Sequence, residues 1–130
     1  MQILRANKAG FCFGVKRALE LAFETIAEPG TIYSLGPLIH NPQVVTQIEQ
    51  KGVQVIDDVE EAGEGTIILR SHGVGPEVLE KAAEKGIKIV NATCPFVKRA
   101  QKIARDFADK DYQVVVIGEK KHPEVRGIVG

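Results

Sequence analysis

Strand-like and helix-like segments alternate along the whole chain, and no other feature of the sequence restricts the fold as much. Short strand-like runs lie at 2–5, 31–34, 53–56, 66–70, 87–90 and 113–117. Between the first two, Val15, Ala18, Leu19, Ala22, Phe23 and Ile26 fall at the spacing of a single apolar helical stripe, which Pro29-Gly30 ends. Asn41-Pro42 reads as an N-cap with proline at the first helical position. Val44, Val45 and Ile48 form the inner face of that helix and Gly52 its stop. The acidic stretch 57–64 reads as a short helix or loop. Pro76 opens a further helix, with Val78, Leu79, Ala82 and Ala83 inside and Gly86 as its stop. Val97, Ala100, Ile103, Ala104 and Phe107 mark another. Strands alternating with helices of this length predict an α/β fold of βα units with a mainly parallel sheet. The run 113–117, with three consecutive valines, suits a strand buried on both faces. It is followed by no expected helix, and the apolar end at 127–130 reads as a chain cut inside a βα unit, part of something longer.

Composition narrows the class. The chain has 130 residues, 44% apolar and 26% charged, with basic and acidic residues balanced at seventeen each. That is enough for a real core without disulfide staples. Zero net charge argues against a broad nucleic-acid footprint or an electrostatic membrane anchor. No apolar run approaches the roughly 20 residues of a membrane helix, and residues 1–8 lack a signal-peptide core. A cytoplasmic location is expected. The two cysteines, Cys12 and Cys94, form no CxxC, so neither a thioredoxin-like motif nor a zinc knuckle is present.

The chain echoes itself around those cysteines. Residues 12–18 and 94–100 both read Cys-x-x-Val-Lys-Arg-Ala, each where a strand gives way to a helix. A thiol beside a helix N-terminus meets unpaired N–H groups that favour the thiolate. A lone cysteine there is ordinarily a small hydrophobe at a tight turn, but the matched contexts favour paired metal or redox thiols.

Ligands of open parallel sheets bind beyond the carboxyl ends of the strands. Five of the six expected strands lead, in chain order, to Cys12, His40, His72, Cys94, and His122 with Glu124. All three histidines and both cysteines of the chain thus fall on one edge. Glycine- and proline-rich loops before helices offer N–H groups to an anion, and three imidazoles added there suit a phosphate or diphosphate. Zinc is a competing guest, because it takes both imidazole and thiolate. Glu124, the carboxylate beside a histidine in these loops, is placed to move protons. The run Asp57-Asp58-Val59-Glu60-Glu61 reads as a solvated face.

Five motifs together carry a resemblance. Ala9-Gly10-Phe11-Cys12-Phe13-Gly14-Val15, Gly36-Pro37-Leu38-Ile39-His40-Asn41, Arg70-Ser71-His72-Gly73, Ala92-Thr93-Cys94-Pro95 and His122-Pro123-Glu124-Val125 occur in the order seen in the 4-hydroxy-3-methylbut-2-enyl diphosphate reductase family. The likeness spans nearly all of this chain and roughly the first half of a typical member. It implies a three-lobed α/β enzyme around a [4Fe-4S] cluster held by three cysteines, with one iron open to the substrate hydroxyl. Two electrons from ferredoxin or flavodoxin would remove that hydroxyl, giving isopentenyl and dimethylallyl diphosphates. By the same resemblance Cys12 and Cys94 are cluster ligands, His40, His72 and His122 bind the diphosphate, and Glu124 relays protons. Residues 1–94 are expected to form the first lobe and 95–130 the start of a second. The third cysteine and the last lobe's polar residues are not in this chain, so it is expected to hold no stable cluster alone. The alternative is an anion-, diphosphate- or zinc-binding module without redox chemistry.

Overall fold

The computed structural model describes all residues, Met1–Gly130. The elements run α1 (Phe13–Ile26), β1 (Ile32–Leu35), α2 (Pro42–Gln50), β2 (Val53–Ile56), a 3-10 turn (Val59–Glu61), β3 (Thr66–Leu69), α3 (Pro76–Glu84), β4 (Lys88–Asn91), α4 (Pro95–Ala108) and α5 (Pro123–Val129). Four parallel strands lie in the order β2-β1-β3-β4. Ile32 pairs with Val53 on one side and Thr66 on the other, and Thr66 with Lys88, so the strands begin in step and end at a common edge.

The period of two along each strand divides the core between the two faces. Ile32, Val53 and Ile68 face Ala18 and Ala22 of α1 and Ile48 of α2. Tyr33, Leu35, Ile67 and Leu69 face Val59, Ala62 and Ala82, from the 3-10 turn, its exit and α3. Small residues on α1 let that helix approach the sheet closely. Asn41 caps α2 as expected, its side chain accepting from Val44 N at 3.1 Å, and Gly52 and Gly86 take positive φ just past their helices. Asp58 caps the 3-10 turn in a reciprocal box with Glu61.

Four expectations need correction. Residues 2–5 form no strand: Ile3 and Leu4 are 80% and 85% exposed, and no neighbouring strand offers them a ladder. Residues 113–117 likewise stay irregular, with Val115 and Ile117 at 73% and 94%. Strand character is a local preference that becomes a strand only when a partner supplies the hydrogen bonds. In contrast, residues 123–129 form α5, where the sequence pattern predicts no helix. Pro123 at its first position and the His122 side chain as its cap explain the start. The inner face of α3 is also narrower than its pattern suggests: Ala82 is buried, whereas Leu79 and Ala83 are exposed. No helix is long and apolar enough to cross a membrane.

Candidate diphosphate and thiolate site

The strand order places β1 between β2 and β3, so the connections leave β1 and β3 in opposite directions. That is the topological switch point, where a crevice opens beyond the strand ends. The loop after β1 carries His40 and the loop after β3 carries His72. Their ring centroids are 4.1 Å apart. His122, at the start of α5, brings its ring to 6.1 Å from each of the other two. Three residues widely separated in the sequence therefore share one small volume.

Backbone hydrogen bonds hold the loops in place. Ser71 donates to Leu38 O through both its N–H and its hydroxyl, each at 3.2 Å. Its carbonyl accepts from Cys94 N at 2.9 Å. The exits of β1, β3 and β4 are thus stitched at Leu38, Ser71 and Cys94. Sequence patterns do not reveal this role of Ser71; its only signal is a small polar residue between a strand end and the His72-Gly73 turn.

The imidazoles differ in state. His122 Nδ1 accepts from Glu124 N at 3.3 Å, so the neutral ring carries its proton on Nε2 and keeps that donor free. His72 is only 8% exposed, and its Nδ1 is buried without a partner. Burial, then the nearby charges of His40, Arg70 and His122, push its pKa down to about 4. His72 is therefore neutral near pH 7 unless an anion repays its protonation. His40 is exposed at the mouth. Glu124 follows His122 in the first turn of α5. A cluster of three imidazoles beside helix starts offers N–H donors and recruitable positive charge, which suits a phosphate group.

The cysteines lie along the same rim. Cys12 caps α1 and Cys94 caps α4, neither using its sulfur in the cap. In each case the carbonyl accepts from the lysine four residues on, Lys16 or Lys98, at 3.0 Å, so the sequence echo is also a structural one. Both thiols are free, Cys12 exposed and Cys94 partly so. The two helix starts meet: a Cβ built on the buried Gly14 would stand 2.5 Å from Cys94 Sγ. Gly14 lies inside α1 rather than in the preceding loop, and only a residue without a side chain lets Cys94 approach. The donor set is two thiols, and nowhere do three His, Cys, Asp or Glu side chains form a group able to hold one metal ion. Two sulfurs at helix N-termini fit part of the ligation of an iron–sulfur cluster and do not complete it.

The fold and site define an α/β protein with a histidine cluster at the switch point of its sheet and two thiols at helix starts beside it. The sequence pattern of the LytB protein family matches residues 3–130. The chain belongs to that family. It is 54% identical over 129 residues to the 4-hydroxy-3-methylbut-2-enyl diphosphate reductase of Geobacter metallireducens, covering 99% of this chain and 46% of the relative. The Geobacter sulfurreducens reductase is 51% identical over the same span. A solved structure of (E)-4-hydroxy-3-methyl-but-2-enyl diphosphate reductase, the terminal enzyme of the non-mevalonate pathway, superposes with a TM-score of 0.84 at 47% identity, covering 98% of this chain and 46% of that one. The reductase from Plasmodium falciparum superposes at 0.90 and 32% identity, over 94% and 39%. The chain spans less than half the length of these relatives.

Proposed function

We propose that this chain supplies the diphosphate-binding and part of the cluster-binding machinery of a 4-hydroxy-3-methylbut-2-enyl diphosphate reductase. The observation that carries the reading is the meeting of His40, His72 and His122 at the switch point, 4.1–6.1 Å apart between ring centroids. In this reading His122 donates from Nε2 to a diphosphate oxygen. His72 takes up a proton as the anion arrives, and His40 closes the mouth. Glu124, fixed to His122 by its backbone N–H, delivers a proton to the departing hydroxyl. Cys12 and Cys94 would serve as two of the thiolate ligands of a [4Fe-4S] cluster, and the remaining ligand is not among these 130 residues. Such a cluster, when bound, supplies electrons and a Lewis-acidic iron to the substrate oxygen.

The reading extends to the setting. Residues 1–94 make the first lobe and 95–130 begin a second, whose sheet the strand-prone run 113–117 would join. A ferredoxin or flavodoxin would deliver the electrons, and the cytoplasm would keep the thiols reduced.

A chimera tests the proposal. This chain would replace the corresponding part of the Geobacter metallireducens reductase, and the product would be reconstituted anaerobically. It should convert 4-hydroxy-3-methylbut-2-enyl diphosphate to the two five-carbon diphosphates. C94S should abolish turnover, and H122A should raise KM by about tenfold or more, the cost of one charged hydrogen bond. A folded, cluster-bearing chimera without turnover would refute the assignment.

A further inference from the structure

A cleft of about 170 Å³ opens between the end of the sheet, α3 and α5. None of the three histidines lines it. Its walls are the exits of β1, β2 and β3, the start of α3, and α5. Alternate residues after β3 divide between the two cavities: His72 serves the histidine cluster and Arg70 faces this cleft.

Six charged side chains line the cleft: Arg70, Lys81, Arg126, Asp57, Asp58 and Glu77. None is ion-paired with another, since the chain's two salt bridges, Lys85–Glu60 and Lys88–Glu28, lie elsewhere. Asp58 is committed to capping the 3-10 turn, its carboxylate accepting from Glu60 N at 3.0 Å. Glu77 folds back over the first turn of its own helix, where a Cβ on Gly75 would strike its carboxylate. Formally the lining balances, three cations against three carboxylates, and Asp57 is the carboxylate not turned toward its own element's start. Arg70 is the innermost: its guanidinium lies so close to Gly36, which has φ +69°, that a Cβ there would stand 2.8 Å from Nη1. Its Nε is buried with no hydrogen-bond partner. A buried guanidinium N–H without an acceptor is costly, and Arg126 adds a like charge across the cleft. The lowered pKa of Arg70, caused by burial and then by Arg126, agrees with that geometry.

We propose that this cleft is a second anion site, taking one small phosphate-type group between the guanidiniums of Arg70 and Arg126. The planar fork of arginine matches phosphate oxygens in pairs, and such an anion would sit between the two like charges and offset them. The ligand chemistry is a phosphate group, either free or the terminus of a larger phosphate, and the site is distinct from the histidine cluster.

Arginine Nε–Hε resonances and the three histidine rings are read together by NMR while the chain is titrated first with inorganic phosphate and then with pyrophosphate. Arg70 Nε–Hε should move saturably with phosphate. R126Q should weaken that binding roughly fivefold, and D57N, which removes the competing carboxylate, should tighten it. Both residues are exposed, so neither change threatens the core. Pyrophosphate should move the histidine rings and Arg70 on separate curves, with two equivalents bound. The proposal is overturned if Arg70 Nε–Hε ignores millimolar phosphate, or if R126Q and D57N leave its curve unchanged. A single shared curve at one equivalent of pyrophosphate also overturns it, because the cleft would then be an arm of the histidine site.

Discussion

His72 shows how one residue ties stability to function. A base whose folded pKa is lowered binds fewer protons in the native state than in the unfolded one. With a folded value of about 4 against an ordinary 6.5, its contribution is complete above about pH 6.5 and is lost as the pH falls toward 4. Urea midpoints should therefore fall through that window, by up to about 1.4 kcal/mol per pH unit from this residue. H72N should flatten the dependence; an unchanged slope would show that His72 does not carry it. The same depressed pKa means that the ring is neutral near pH 7 and that any proton it carries there must be held by a bound anion. The sequence places His72 in a turn after a strand. Only its burial among His40, Arg70 and His122 makes it a poor base, and no local pattern records that neighbourhood.

Among elements, the starts of helices matter most. Asn41, Cys94 and His122 each stand at a helix N-cap, and each is next to or part of the candidate site. Asn41 both caps α2 and fixes the chain just after His40. N41A should cost about 1 kcal/mol in chemical denaturation. It should also weaken pyrophosphate binding by freeing the His40 loop, whereas N41D, which keeps the acceptor, should restore most of the stability. Loss of neither property would remove Asn41 from the argument. The cap at Asn41 and the helix start at Pro76 are legible in the sequence because both are set by near neighbours. The Ser71 stitch to Leu38 and Cys94 is not, since it joins three loops distant along the chain.

The whole molecule is unevenly finished. The sheet is covered on both faces, whereas α4 has no buried residue although its apolar stripe is the most regular in the chain. Phe96, Ile103, Phe107, Tyr112, Val115 and Ile117 are all exposed. An apolar helix face beside an unpaired strand-prone run invites association. The chain alone should self-associate at concentrations used for NMR. V115K combined with I117K should shift sedimentation toward the monomer without lowering the unfolding midpoint, because neither side chain is packed. A parent chain that sediments as a monomer throughout would contradict this.

The sequence by itself determined the βα alternation from β1 to β4, the Asn41 cap, the strand ends past which His40, His72 and Cys94 fall, and the paired cysteine turns, because each is written in local spacing and near-neighbour contacts. The tertiary structure alone decided which strand-prone runs became strands, that α5 forms, that the three imidazoles close to 4.1–6.1 Å between ring centroids, and that Arg70 faces a different cavity from its neighbour His72. Those outcomes depend on partners far along the chain: a ladder needs a second strand, and a depressed pKa needs burial and nearby charge.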